Sequence, residues 1–251
     1  MIKLLRNMKD GIMHHNFFLS KTANELLTES GIDSPMYCID PLHFQNYKKL
    51  VVYQYNSRGF RDNEWPDDIN NHIWCVGDSF TVGLGQPIDE IWPQQIQTML
   101  NERIINISMG GASNDWIARK VKDILDSFSP KAVLIQWSYI DRREYPNTNM
   151  LDEDRRMHFD TKDQNNVANF SKKISSIDLN KSKLIHSFIP KFCETPNLKK
   201  DENTEQKIYN VLKENNAVFF EPPEQVDFSR DGHHYDILTA REYAKMYVER
   251  L

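Results

Sequence analysis

The sequence contains few cysteines, and this scarcity excludes several classes of protein. Its 251 residues include three cysteines, Cys38, Cys75 and Cys193, an odd number with wide spacing. No two of them have the spacing of a Cys-x-x-Cys metal or redox motif. We therefore expect neither a disulfide framework nor a cysteine-based metal site, and we expect the protein to occupy a reducing compartment.

Long apolar runs are also absent. No window approaches 18 consecutive apolar residues, so the sequence predicts no membrane-spanning helix. Near the N-terminus, Arg6, Lys9 and Asp10 interrupt the apolar stretches, which is not typical of a signal peptide. These absences predict a soluble, cytoplasmic protein without a membrane partner.

An excess of positive charge is missing as well. The 31 Lys and Arg residues are outnumbered by 36 Asp and Glu residues, which gives a formal net charge of -5. Binding to the phosphate backbone of a nucleic acid requires a basic face, so we expect no nucleic-acid partner. The hydrophobic fraction of 39% is lean, but it is sufficient for a core in a chain of this length.

From residue 72 onward, short apolar runs alternate with amphipathic stretches. The five runs of strand length are residues 72–76, 103–107, 131–137, 183–189 and 217–220. The four stretches with helical periodicity are residues 91–100, 114–128, 204–216 and 239–251. Asn114 or Asp115 is a candidate cap for the second of these helices. Because strands that alternate with helices form parallel sheets covered on both faces, we predict a three-layer α/β/α domain over residues 70–251.

Two regions do not fit this alternation. Residues 1–69 show little periodicity, and we interpret them as an N-terminal extension packed on the main domain. Residues 141–180 are dense in charged and Asn side chains, and they are predicted to be an insertion or cap between the third and fourth strands. In the extension, Arg58 and Arg61 flank a glycine turn, where they either grip an anionic substrate or belong to a solvated turn.

Segments that contain candidate catalytic residues follow the first, second and fifth apolar runs. They are VGDSFTVG, which contains Ser79, NISMGGAS, which contains Gly111, and DGHHY, which contains Asp231 and His234. Ligands gather at the carboxyl ends of strands in open parallel sheets, so these segments are expected to meet. A serine nucleophile needs a base and a group that orients the base, and the three-residue spacing lets Asp231 reach one ring nitrogen of His234.

In these segments the sequence resembles the SGNH, or GDSL-like, hydrolases and esterases. The first segment resembles their first block, with Ser79 as nucleophile, and the second resembles their second block, with Gly111 as oxyanion glycine. The third resembles the last block, which assigns Asp231 and His234. YNSRGFRD resembles a lead-in found in some members. The resemblance covers about half of the chain. It implies a flavodoxin-like sheet and hydrolysis of an ester or thioester through an acyl-enzyme, with the N–H groups of Ser79 and Gly111 at the oxyanion and no metal or organic cofactor.

One block departs from the family pattern. The third block of the family is Gly-x-Asn-Asp, and aligning Asp141 with its Asp puts Ile140 at the Asn and Ser138 at the Gly. Isoleucine cannot donate a hydrogen bond, and removing one oxyanion donor costs about 10²–10³ in kcat. The site is therefore weakened, rebuilt with Ser138, Tyr139 or Arg142 as donor, or used for another purpose.

Several neighbouring residues have alternative interpretations. His233 is a rival base, but the spacing favours His234 and leaves His233 as an exposed or substrate-side neighbour. Asp78 is interpreted as a structural hydrogen-bond acceptor. The adjacent histidines at 14–15 and at 233–234 have no converging carboxylate or cysteine cluster, so the sequence predicts no metal site.

The sequence thus predicts a serine esterase, with Ser79 as nucleophile, His234 as base and Asp231 as orienting group. The resemblance favours O-acyl substrates, particularly acetyl groups on a carbohydrate, so the expected partner is a small-molecule or glycan ester. An acyltransferase with the same three residues is one alternative. A carbohydrate-binding or assembly protein with feeble catalysis is another, and Ile140 favours it. The sequence does not specify an oligomeric state.

Overall fold

A five-stranded parallel β-sheet forms the centre of the protein, seen in a computed structural model that describes residues 24, 26–144, 157–160, 162–194 and 203–251. The described strands are β1 (Leu26–Leu27), β2 (Tyr53–Gln54), β3 (Ile73–Gly77), β4 (Ile104–Ser108), β5 (Ala132–Trp137), β6 (Arg142–Glu144), β7 (Met157–Phe159), β8 (Lys183–Phe188) and β9 (Val218–Phe219). The described helices are α1 (Pro41–Asn46), α2 (Ser79–Val82), α3 (Trp92–Leu100), α4 (Asn114–Ser127), α5 (Asp163–Ser175), α6 (Thr204–Glu214) and α7 (Ile237–Val248), with a 3-10 helix at Ile88–Glu90.

The strand order of the central sheet is β4-β3-β5-β8-β9, and every neighbouring pair is parallel. Strands β3, β4 and β5 are buried along their whole length, as strands covered by helices on both faces must be. The chain reverses its direction of winding at β3, and ligands of open α/β sheets bind at the carboxyl ends of the strands beside such a reversal. The predicted three-layer α/β/α domain with a flavodoxin-like sheet is confirmed.

Helices cover both faces of the sheet. Helices α4, α5 and α6 pack side by side, and α3 packs with α7. Helix α4 begins after Ser113, whose hydroxyl accepts the N–H of Trp116, so the predicted cap at Asn114 or Asp115 is wrong. Among the residues that the structure describes, no helix combines the length and apolar character required to cross a bilayer.

Helix α5 lies within residues 141–180, the segment that the sequence predicted to be an insertion or cap. Phe170 and Ile174 of this helix are fully buried in the main core. Helix α5 is therefore the crossover between the parallel strands β5 and β8, and its narrow apolar stripe is masked in the sequence by charged and Asn residues. Strands β6 and β7 form a separate antiparallel pair. Residues 145–156 and 161 of the predicted cap lie outside the described residues.

The described part of the predicted N-terminal extension joins the core in two places. Phe60 and Trp65 belong to the main core, whereas Tyr53 and Tyr55 pack in a smaller cluster with Leu84. Helix α1 begins at a proline after Asp40, whose carboxylate accepts two backbone N–H groups of the first turn. Residues 1–23 and 25 of the extension lie outside the described residues.

Candidate active site

Ser79 lies at the carboxyl end of β3, where the strand turns directly into the short helix α2. Asp78 caps this helix, and its Oδ1 accepts the N–H of Phe80 at 3.0 Å. Gly77 has no room for a side chain, because a Cβ atom there would lie 2.0 Å from Thr81 Oγ1. This tight turn presents Ser79 at the edge of the sheet, and the residue is 6% exposed.

A continuous relay of hydrogen bonds joins Ser79, His234 and Asp231. The Ser79 hydroxyl lies 2.8 Å from His234 Nε2, and His234 Nδ1 lies 2.5 Å from Asp231 Oδ2. The other carboxylate oxygen, Oδ1, accepts the N–H groups of His233 and His234 and the hydroxyl of Ser229. A proton on Nδ1 directed at Asp231 leaves Nε2 free to accept the proton of the serine.

The pKa values of Asp231 and His233 are both shifted by their surroundings. Burial of Asp231 opposes ionisation, but the charge of His234 and hydrogen bonds to the carboxylate outweigh burial and hold the pKa of Asp231 well below its usual range. Burial and the nearby His234 lower the pKa of His233 to about 4, so this imidazole is neutral near pH 7. The contacts of His234 with Ser79 Oγ and with the ionised carboxylate of Asp231 make His234, rather than His233, the candidate base.

Two backbone N–H groups at this edge are available to a ligand. Gly111 follows β4 in a turn closed by a bond from Ala112 N–H to Met109 O, and its φ of +76° favours glycine. Within the described part of the chain, neither the N–H of Ser79 nor that of Gly111 donates a hydrogen bond. These are the two groups that the family resemblance assigns to the oxyanion.

The third-block residues have other partners. Ile140 is 3% exposed in the main core, and its N–H donates to the carbonyl of Phe192. Ser138 is fully buried, and its hydroxyl donates to Asp78 Oδ2 at 2.6 Å. The proton that Ser138 would need as a replacement oxyanion donor is therefore engaged by Asp78.

The other predicted substrate-side residues form a contiguous group beside Ser79. Arg142 Nη1 lies 3.3 Å from Asp78 Oδ2, and its guanidinium stacks over the ring of Tyr139. The Tyr139 hydroxyl lies 3.4 Å from His233 Nε2. Burial raises the pKa of Tyr139 to about 12, although Arg142 opposes this shift, so the phenol is neutral near pH 7.

Two buried amides that support the site were missed in the sequence. Gln136, inside β5, accepts the hydroxyl of Thr81 from helix α2 and donates to the hydroxyl of Tyr235. Asn114 accepts the N–H of Ser138 at 2.8 Å and donates to the carbonyl of the same residue. In the sequence, Gln136 is recognisable as a polar residue inside an apolar run, and this is the signal that could have identified it.

Arg61 has neither of the roles that the sequence suggested. It is 2% exposed, and its guanidinium donates to four backbone carbonyls, those of Val52, Val82, Gly83 and Gln86. The hypotheses of a substrate-binding arginine and of a solvated turn are therefore both wrong for Arg61, which supports the backbone after α2.

The histidines and carboxylates of the site do not form a metal-binding cluster among the described residues. Across the described ranges, no group of three His, Cys, Asp or Glu side chains could hold a metal ion. The adjacent histidines His14 and His15 lie outside the described residues.

Comparison with known proteins places this geometry in a structural class. No family model and no curated protein matches the sequence. TesA is 16% identical over 72% of this chain and 98% of its own, with a TM-score of 0.51. A carbohydrate esterase family 2 enzyme with a carbohydrate-binding domain, from Corynascus thermopiles (Myceliophthora fergusii), is 14% identical over 74% of this chain and 67% of its own, with a TM-score of 0.51. Est24, a carbohydrate acetylesterase from Sinorhizobium meliloti, is 12% identical over 72% of this chain and 98% of its own, also with a TM-score of 0.51.

These likenesses show that the chain has the SGNH hydrolase fold. The fold that the sequence motifs implied is thereby confirmed.

Proposed function

We propose that this protein is a serine esterase of the SGNH type that hydrolyses O-acyl esters. The observation that carries the proposal is the relay in which Ser79 Oγ lies 2.8 Å from His234 Nε2 and His234 Nδ1 lies 2.5 Å from Asp231 Oδ2. These contacts supply a nucleophile, a base and a group that orients the base. A protein that only binds a ligand has no need for all three in this arrangement.

In the proposed reaction, Ser79 Oγ attacks the acyl carbonyl while His234 Nε2 takes the hydroxyl proton. Ionised Asp231 stabilises the imidazolium that forms. The tetrahedral intermediate collapses to an acyl-enzyme as the alcohol leaves with the proton from His234. A water molecule then attacks the acyl-enzyme, His234 takes its proton, and the acid is released as that proton returns to Ser79.

The oxyanion is stabilised by the N–H groups of Ser79 and Gly111, which are available at neighbouring strand ends. The side chain of Ile140 cannot add a third donor. Arg142 brings a positive charge to Asp78, the residue before the nucleophile, at 3.3 Å. We expect turnover to be slower than that of an enzyme with three oxyanion donors by about 10²–10³-fold.

Acetyl esters of carbohydrates are the substrate class that we propose. The support comes from two proteins with the same fold, one named as a carbohydrate esterase and one as a carbohydrate acetylesterase. The substrate-side group of Tyr139, Arg142 and His233 offers a phenol, a guanidinium and an imidazole, which suit the hydroxyl groups of a saccharide.

The test compares hydrolysis of p-nitrophenyl acetate and of a panel of acetylated saccharides by the wild type and by S79A, H234A and S175A. Ser175 is an exposed serine at the end of α5, so S175A controls for the loss of a hydroxyl elsewhere. We expect S79A and H234A each to lower kcat by at least about 10³-fold, whereas S175A retains the wild-type rate. Equal turnover in all four proteins contradicts the proposal. Adding a hydroxyl acceptor distinguishes acyl transfer from hydrolysis, because transfer yields a new ester of the acceptor and hydrolysis yields the free acid.

A binding protein with feeble catalysis is the second candidate, because Ile140 occupies the position of an oxyanion donor. Calorimetry with acetylated glycans, using the wild type and S79A, separates the two functions. Binding of equal strength in both proteins without turnover by the wild type supports the second candidate, whereas turnover that requires Ser79 supports the first.

A further inference from the structure

We propose that residues 33–61 form a bracket that positions the serine loop (residues 78–86) against the histidine loop (residues 229–236). Asp33 of the bracket and Arg230 of the histidine loop act as positioning residues for the relay. The inference rests on the proposed function, because it assigns a further role at the same site. It is carried by a chain of buried and part-buried contacts that begins at one loop and ends at the other.

The bracket holds the serine loop through Arg61. Its guanidinium donates to the carbonyls of Val82 at 3.0 Å, Gly83 at 2.5 Å and Gln86 at 2.7 Å. The carbonyls of Val82 and Gly83 lie at the C-terminal end of α2, where a helix leaves backbone acceptors unsatisfied, and that of Gln86 lies in the loop that follows. Because Ser79 is the first residue of this four-residue helix, fixing the end of α2 also fixes the position of Ser79.

The bracket holds the histidine loop through Asp33. This carboxylate is fully buried and accepts two bonds from Arg230, from Nε at 2.9 Å and from Nη2 at 2.6 Å. Arg230 directly precedes Asp231, whose own carbonyl accepts the N–H of Ile39 at 3.1 Å. Contacts from Asp33 and Ile39 of the bracket therefore fix the backbone at Arg230 and Asp231, and Asp231 carries the orienting carboxylate.

Tyr53 joins the two ends of the bracket. Its hydroxyl donates to Asp33 and accepts the N–H of Gly85, a residue of the serine loop, at 2.8 Å. The guanidinium carbon of Arg61 lies 4.3 Å from the centre of the Tyr53 ring. Arg61, Tyr53, Asp33 and Arg230 thus form an unbroken series of contacts between the two loops.

The fork geometry of the Asp33–Arg230 pair makes it sensitive to a small change. Both oxygens of Asp33 accept bonds from Arg230, and one of them also accepts the Tyr53 hydroxyl. An Asn side chain has the same shape, but it offers an NH₂ group where one of these donors now binds. We therefore expect D33N to release Arg230 and to displace the start of the histidine loop, with Asp231, relative to both His234 and the serine loop, while the rest of the core stays intact.

The experiment uses the full chain and three measurements on D33N. The first is the rate at which a fluorophosphonate probe labels Ser79, the second is kcat and KM for p-nitrophenyl acetate, and the third is the proton NMR signal of His234 Nδ1–H. Misplacement of a reacting group by 1 Å can cost about 10²-fold. We expect labelling and kcat to fall by about 10- to 100-fold with KM almost unchanged, and the deshielded Nδ1–H signal to move upfield.

R103Q provides the matched control. It removes another arginine from a buried aspartate, because Arg103 Nη2 lies 2.9 Å from Asp62 and the Asp62 side chain is fully buried. Arg103 precedes β4 and so lies at the amino end of the sheet, opposite Ser79. If Asp33 has only a structural role, D33N and R103Q lose stability alike, and labelling, kcat and the NMR signal stay unchanged in both folded proteins. That result would overturn the proposal.

Further outcomes separate this inference from the proposed function. If D33N fails to fold, R230K replaces it, because lysine keeps the charge but loses the fork. We expect its rate of labelling to lie between that of the wild type and that expected of D33N. A wild type that turns over no ester and is not labelled at Ser79 rejects the proposed function. The His234 Nδ1–H signal of wild type and variant then still decides whether the bracket positions Asp231.

Discussion

At the scale of single residues, the side chain of Ile140 lies in apolar packing at the position where the SGNH pattern has an Asn. Ile140 contributes to the main core and is 3% exposed, and its backbone N–H is bonded to Phe192 O. The chain after β5 thus directs this side chain into apolar packing. We therefore expect that an Asn at position 140 would not supply an oxyanion donor.

The substitution Ile140→Asn tests this interpretation. It removes buried apolar surface and places an amide in the core without a partner, so we expect the free energy of unfolding to fall by about 2–4 kcal/mol. We also expect no increase in kcat. Urea unfolding and hydrolysis of p-nitrophenyl acetate measure the two effects.

Ile140→Val is the conservative control for this prediction. It keeps the apolar character and is expected to lower the free energy of unfolding by about 0.5–1.5 kcal/mol. A kcat for the Asn variant above that of the wild type would show that position 140 reaches the reacting atoms, contrary to the packing described above.

At the scale of elements, the serine loop and the histidine loop touch directly at Gly85. The carbonyl of Gly85 accepts the N–H of Arg230 at 3.1 Å. A Cβ atom at Gly85 would lie 2.5 Å from Ser229 Oγ and 2.9 Å from Arg230 N, and the residue has a φ of +76°. Both the close approach and the left-handed backbone require glycine here.

We predict that Gly85→Ala forces the two loops apart and lowers both stability and kcat. The left-handed conformation alone costs about 1 kcal/mol or more for a residue with a side chain, and the clash adds to this cost. Separation of the loops lengthens the contact between Ser79 and His234, so kcat is expected to fall by about 10-fold or more. Thermal unfolding and p-nitrophenyl acetate hydrolysis are the measurements.

Gly31→Ala separates the clash from the backbone strain. Gly31 also has a positive φ, of +61°, but a Cβ atom there would meet only Leu84 Cδ1, at an ordinary 3.5 Å. This variant should lose stability while keeping the wild-type kcat. If both variants lose the same proportion of activity, close packing of the loops is not what Gly85 provides.

The elements that could be predicted from the sequence are those with a local pattern. Strands β3, β4 and β5 are largely apolar, and α4 has an apolar stripe, so the sequence predicts their ends to within one residue. Helix α5 was missed because its charged and Asn residues conceal a narrow stripe. Ser79, Gly111, Asp231 and His234 could be nominated because short motifs follow strand ends, where a parallel sheet gathers its ligands.

The bracket could not be predicted because its contacts leave no local pattern. Asp33 and Arg230 are 197 residues apart in the chain, and a buried pair of this kind has no periodicity. Arg61 was misinterpreted for a related reason. A buried arginine satisfied by backbone carbonyls looks the same in a sequence as a solvated arginine, since its partners carry no side-chain signature.

At the scale of the whole molecule, buried ionisable groups in the sheet layer link stability to pH. His186, in β8, is fully buried, and its Nδ1 accepts the indole N–H of Trp137 at 3.2 Å. Burial lowers the pKa of His186 to about 3. Burial raises the pKa of Asp62 to about 6, against the opposing charge of Arg103.

These two shifts have opposite signs in their effect on folding. The unfolded chain protonates His186 below a pH of about 6.5, whereas the folded protein does so only near pH 3. Folding stability from this group is therefore lost as the pH falls through that window, by about 1.4 kcal/mol per pH unit. Between about pH 4 and about pH 6, Asp62 is protonated in the folded protein but ionised in the unfolded chain. The stability that this proton contributes to the folded state is therefore lost as the pH rises through that range.

The substitution His186→Asn isolates the histidine contribution. Asn Oδ1 can accept the indole N–H of Trp137, but the side chain does not titrate, so the Asp62 term is common to both proteins and cancels. We expect the free energy of unfolding in urea to fall between pH 7.5 and pH 5 by about 1–2 kcal/mol more in the wild type than in the variant. Equal losses in the two proteins would mean that His186 is protonated in the folded state at pH 5. The β8 layer would then have to open to water at that pH, because a charged imidazole has no compensating partner among the described residues around it.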